Sequence, residues 1–97
     1  MATESEFLNL AEQMFDAIEA RFDDDFDGEI TRSGNVLKIV PDNGNEIVLN
    51  LQTPWQEIWM ASKLGGFHFR HEGGDWRDTR TSETLQDKLE NTLERLL

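Results

Sequence analysis

Over the first 22 residues, apolar side chains return at helical intervals. Phe7, Ala11, Met14, Ile18 and Phe22 fall at i, i+4, i+7, i+11 and i+15, which is one face of an α-helix. Phe15 widens the stripe, and Thr3-Glu4-Ser5-Glu6 has the form of a capping box that opens a helix. The pattern predicts a helix from about residue 4 to residue 22. After Gly28 the period drops to two. Short strands are predicted over 29–32, 36–40, 46–52, 56–62, 67–71 and 75–78. They are separated by Ser33-Gly34-Asn35, Pro41-Asp42-Asn43-Gly44-Asn45, Thr53-Pro54, Gly65-Gly66 and Gly73-Gly74, all turn-forming sequences. Ile47, Leu49 and Leu51 alternate cleanly with Val48, Asn50 and Gln52. Leu85, Leu89, Leu93 and Leu96 then form the stripe of a last helix, for which Ser82 or Thr81 can supply the cap.

Short connections between consecutive strands imply an antiparallel sheet. Two amphipathic helices at the ends of the chain must bury their stripes, and one sheet face is the surface available to both. The expected fold is α+β: a two-layer α-β sandwich, with the N- and C-terminal helices packed on one face of an antiparallel sheet of about six strands. The other sheet face is left to water. A length of 97 residues suits one domain, residues 1–97, with a single modest core.

Charge changes this picture at one end. Ten of the twenty acidic residues lie in the first 29 positions with a single base, Arg21, so that segment carries −9 of the formal net charge of −11. At about 100° per residue, Glu12, Asp16, Glu19 and Asp23 cluster within roughly 60° of one another, on the side of the helix away from the apolar stripe. They form a carboxylate ridge that Asp24, Asp25, Asp27 and Glu29 could extend. Such a ridge is either a solvated face or a surface for hard cations or a basic partner. Exposed carboxylates ionise well below neutral pH, which suits ligation and charge pairing rather than acid–base work. Asp23-x-Asp25-x-Asp27-Gly28 matches the first half of an EF-hand loop, but position twelve is Gly34 and a strand follows, so no closed Ca²⁺ site is expected.

The remaining chemistry is sparse. The chain has no cysteine, which excludes disulfides, thiolate metal sites and thiol nucleophiles and fits a reducing compartment. No apolar run is long enough to span a membrane, and no signal peptide is apparent. The nine scattered basic residues do not form the cluster that phosphate contacts need. A cytoplasmic monomer that binds neither membrane nor nucleic acid is expected. His68 and His71 should face opposite sides of their strand. Trp59 should share the open sheet face with Asn50, Gln52 and His68, as a partner anchor or as a ring packed against long side-chain stems.

Three further segments carry a resemblance: Asn50-Leu-Gln-Thr-Pro54, then Glu57-Ile-Trp-Met-Ala-Ser62, then Gly65-Gly-Phe-His-Phe69, with Trp76 before the last helix. Together with Ser5-Glu6-Phe7 and Arg21-Phe22-Asp23-Asp24 they closely resemble the frataxin family in its bacterial form. Met60 stands where that family has Leu, and the loop around residues 25–28 is short. The resemblance implies the sandwich already expected, and a role in iron–sulfur cluster assembly without catalysis. It implies weak binding of iron (Fe²⁺ or Fe³⁺) at Asp16, Glu19, Asp23, Asp24, Asp27 and Glu29, with Glu12 and Asp25 as extensions, and carboxylate chemistry admits other divalent cations there. It further implies docking on the cysteine desulfurase and the iron–sulfur scaffold protein, with Asn50, Gln52 and Trp59 as the partner surface; His68, on the same open face by alternation, is expected to belong to it. The rival expectations are a pure interaction regulator of the desulfurase with incidental metal binding, and a ferroxidase or iron store.

Overall fold

A computed structural model describes residues 3–22 and 26–96. Helix α1 spans Glu4–Arg21. Its capping box is complete: the Glu6 amide donates to Thr3 Oγ1 at 3.1 Å, and the Thr3 amide donates to Glu6 Oε1 at 3.3 Å. The helix stops one residue earlier than its apolar stripe, with Phe22 as the C-cap. Six strands follow, β1 (Gly28–Ser33), β2 (Val36–Pro41), β3 (Ile47–Gln52), β4 (Glu57–Ser62), β5 (Gly65–Glu72) and β6 (Asp75–Asp78), and helix α2 (Leu85–Leu96) closes the described chain. Each strand pairs antiparallel with the next, in the order β1-β2-β3-β4-β5-β6. This meander follows from turns too short for any crossover.

Alternation decides what the sheet buries. Leu37, Ile39, Ile47, Leu49, Ile58, Met60 and Phe69 are at most 1 % exposed and face the helices. Phe15 and Ile18 of α1 and Leu85 and Leu89 of α2 meet them in one cluster. Phe7 sets its ring edge-on to Trp76, with centroids 5.9 Å apart. Helices on one face of the sheet and water on the other is the expected two-layer α+β sandwich.

Two local expectations are corrected. Gln56 does not begin β4. Thr53–Trp55 form a 3₁₀ turn that Gln56 closes in the left-handed region (φ 53°), its amide donating to the Thr53 carbonyl. The last helix is capped by neither Ser82 nor Thr81. The Asp87 amide donates to Thr84 Oγ1 at 3.2 Å and the Lys88 amide to the Thr84 carbonyl, which makes Thr84 the cap. Thr81 and Ser82 are held in the preceding loop: Asp78 Oδ1 accepts from the amides of Arg80 and Thr81, and the Asp78 carbonyl accepts from Ser82. At its other end, α2 is finished by the β2–β3 turn. Asn43 and Asn45 both donate side-chain amides to the Leu96 carbonyl, one of the acceptors that a helix end leaves open.

Candidate functional site

Two surfaces carry the residues singled out from the sequence. The first is the solvent side of α1. Glu12 and Asp16 are exposed and Glu19 is half-buried, as a helix with its stripe on the opposite face requires. The structure adds a residue that charge counting passed over. Arg32 lies in β1 on the side that faces the helices, two residues from Ile30, and its register partner is the buried Leu37. From there its Nη1 donates to Asp16 Oδ1 at 2.6 Å and to Glu19 Oε1 at 2.8 Å. Its guanidinium carbon lies 5.4 Å from the centre of the Phe15 ring. These partners hold Arg32 above the ordinary arginine range, through the hydrogen bond to Asp16 first and that to Glu19 second. The spacing within β1 was the signal for it: Arg32 shares the parity of Ile30.

The other acids of the ridge are distributed differently. Glu29 pairs in register with Val40 and sits on the opposite face of β1 from Arg32, so Asp16 and Glu19 do not share a face with it. Asp27 is exposed just before the strand, and its carbonyl accepts from the Asp42 amide. Asp23, Asp24 and Asp25 lie outside the described residues. Among the described residues, no three carboxylates or histidines converge closely enough to cage a metal ion.

The second surface is the open face of the sheet. Register places Asn50 opposite Trp59, and Trp59 opposite His68, one row across β3, β4 and β5. The Trp59 and His68 rings stack with centroids 4.3 Å apart and planes within 7°. Gln52 donates to Asn50 Oδ1. In the neighbouring row, Gln52 faces Glu57 and Glu57 faces Arg70. Glu57 was not foreseen as part of this surface, although it lies two residues from Trp59 and therefore on the same face. It is 6 % exposed, and its burial is matched by donors: Trp59 Nε1 at 2.8 Å and Arg70 Nη2 at 2.6 Å, with His68 Nδ1 3.5 Å away. A buried carboxylate needs such partners. Here they also fix the indole, because its only donor is held by Glu57. His71 points the other way and meets Trp76 edge-on. Next to Arg70 a groove of about 570 Å³ passes to the helix side of the sheet, lined by Trp55, Pro54, Phe7 and Trp76, and at its rim Trp55 is 64 % exposed.

Two helices on one face of a six-stranded meander, with acids on the outer side of α1 and an aromatic, amide-rich open sheet, define a two-layer α-β sandwich. The model of the frataxin-like domain matches residues 1–97, and the chain belongs to that family. It is 48 % identical over 92 residues to the iron-sulfur cluster assembly protein CyaY of Bordetella pertussis, covering 90 % of this chain and 84 % of that protein. It is 54 % identical over 79 residues to the protein of the same name from Paraburkholderia phymatum, covering 80 % and 75 %. Among solved structures, frataxin from Psychromonas ingrahamii superposes with a TM-score of 0.93 at 25 % identity, over 98 % of this chain and 91 % of that one. Trimeric yeast frataxin complexed with ferrous iron shares the fold, with a TM-score of 0.70 at 23 % identity over 98 % and 86 %.

Proposed function

We propose that this chain is a non-catalytic accessory protein of iron–sulfur cluster assembly in the cytoplasm. It binds iron weakly through the acidic side of α1 and docks on the cysteine desulfurase and scaffold. The observation that carries this reading is the crowding of carboxylates on the exposed side of α1, in a chain whose relatives are named for cluster assembly. Carboxylate oxygens are hard donors suited to iron and to other divalent ions. On an open helix face they leave most of an ion's water shell in place, which is why the binding is weak. The same charges attract a basic protein surface, with an on-rate that falls as salt screens them. The open sheet supplies the contact that charge cannot: an indole held rigid by Glu57 and His68, flanked by Asn50 and Gln52, is a partner anchor of low conformational cost.

The test uses two variants in an anaerobic Fe²⁺ titration followed by NMR and in a desulfurase pull-down. Neutralising Glu19→Gln together with Asp23→Asn is expected to weaken iron-induced shifts in α1 and also desulfurase binding. Unchanged behaviour in both assays overturns the reading. Trp59→Ala is expected to leave iron titration intact and to cut partner affinity by about tenfold or more, as loss of an interface anchor does. Undiminished affinity would remove Trp59 from the interface.

A second reading is favoured by one feature, the engagement of Asp16 and Glu19 by Arg32. A ridge with an internal counter-charge is better suited to exchanging ion pairs with a protein than to caging a metal. On that reading the chain regulates the desulfurase by contact alone, and its effect on turnover persists when iron is chelated.

A further inference from the structure

Of the carboxylates that α1 offers to cations, two already hold one. We propose that Arg32 is a resident counter-cation of the acidic face, which any metal ion must displace or share to use Asp16 and Glu19, and so sets both the affinity of the face and the order in which its carboxylates fill. This inference rests on the reading that the face binds cations at all.

Several features separate Arg32 from an ordinary surface arginine. It is rooted in β1 and reaches across to α1, over separations of 16 and 13 residues, so the pairing depends on the tertiary fold and not on helix spacing. Its side chain is 26 % exposed, against 70 % for Asp16 and 42 % for Glu19. The guanidinium stands over the face of Phe15, a fully buried core ring. Packing thus fixes its position, so it loses less freedom on pairing than a solvated side chain would. A single nitrogen, Nη1, touches both carboxylates. It bridges two acids three residues apart on the helix, the same two-carboxylate span that a small cation would occupy.

The consequence follows from charge. With the guanidinium in place the pair carries a net −1; without it the pair carries −2. An arginine does not lose its proton in the accessible pH range, so the restraint acts at every working pH. The other base near this helix does not do the same work. Arg21 turns away to Glu90 of α2, at 2.6 Å. A metal ion therefore meets the unbridged acids first, Glu12, Asp27 and Glu29 among the described residues, and reaches Asp16 and Glu19 only by competing with Arg32.

Two measurements test this. The first titrates Mn²⁺ into ¹⁵N-labelled wild-type protein, R32Q and R32K at low salt and follows paramagnetic broadening of the α1 amides. Removing one positive charge next to the ion should tighten binding about fivefold in R32Q. The amides of residues 16–19 should broaden at lower Mn²⁺ than in wild type, and R32K should stay near wild type because its charge is kept. If R32Q binds no more tightly, or if residues 16–19 already broaden first in the wild type, the proposal is overturned. If no α1 amide responds in any of the three proteins, the cation reading of the face falls and this inference falls with it. The second measurement needs no variant. During a Mg²⁺ titration of wild-type protein, the Nε–H resonance of Arg32 should shift with the same midpoint as the amides of Asp16 and Glu19. A resonance that stays fixed while those amides titrate shows that Arg32 is not displaced.

Discussion

Replacing Asp78 with alanine is expected to lower stability by about 3 kcal/mol and the melting temperature by about 15 °C. Asp78 ends β6 and its side chain is 4 % exposed. Oδ1 accepts from the Arg80 amide at 2.7 Å and from the Thr81 amide at 3.3 Å. Oδ2 lies 3.8 Å from Lys88 Nζ. Lys88 is 13 % exposed, pairs also with Glu83 at 3.0 Å and covers the ring of Phe67 at 4.4 Å. Alanine removes the acceptor of two amides and leaves a mostly buried ammonium with Glu83 alone. Breaking one partner out of a buried pair costs more than an exposed pair ever contributes, because the remaining charge keeps its desolvation penalty. Glu83 offsets part of that, and the exposed Arg80 and Thr81 let water take over the freed amides, so the loss stays near the lower end of the range for such pairs. Asp78→Asn keeps an acceptor for the loop and loses only the charge, so it should fall by less than half as much. Thermal and urea unfolding followed by circular dichroism would check both variants. A fall of less than about 1 kcal/mol for the alanine variant would mean that the loop between β6 and α2 is held by its backbone hydrogen bonds alone.

This part of the molecule also shows where sequence reading stopped. The strands were legible because their alternation is local: Ile47, Leu49 and Leu51 can be assigned to one face without knowing what lies opposite. The α2 cap was not legible in the same way. Thr81, Ser82 and Thr84 are all competent caps, and what excludes the first two is the hold of Asp78 on the loop. The functional surfaces divide along the same line. The angular cluster of Glu12, Asp16 and Glu19 follows from helical periodicity, and the shared face of Asn50, Gln52, Trp59 and His68 follows from alternation. Arg32 against Asp16, and Arg70 against Glu57, required knowing that β1 lies beside α1 and that β4 and β5 pair in this register. Long-range pairing of a charge with its counter-charge is set by packing, which a one-dimensional pattern does not encode. It decides here whether a carboxylate is a vacant ligand or an occupied one.

The same strand gives the second large effect. Gly28→Ala is expected to destabilise the protein by about 3 kcal/mol, and to do so at one edge. Gly28 opens β1 with φ 157°, and a Cβ there would stand 2.3 Å from the Val40 carbonyl oxygen and 2.8 Å from Pro41 Cα, with the Phe26 ring also at 2.8 Å. Two of these three atoms belong to the backbone of β2, whose preceding residues 36–39 are paired on the other side with β3 and limit how far it can retreat. The edge strand must move instead. Gly28 faces Pro41 in the register, and the hydrogen bond from the Asp42 amide to the Asp27 carbonyl lies immediately beside it, so the first pairs of β1 open together. Arg32 rides on the same strand, four residues further on. Its reach to Asp16 and Glu19 depends on β1 keeping its distance from α1, so the variant should loosen the acidic face without changing a single charge on it. Hydrogen exchange separates this from a general loss of stability: amides of residues 28–32 should lose protection by more than the global change accounts for, while those of β3, β4 and β5 should follow the global change alone. Retained protection in β1 with an unshifted melting temperature would show that the strand absorbs the methyl group. The contact of Arg32 with α1 would then be less dependent on the edge of the sheet than its geometry indicates.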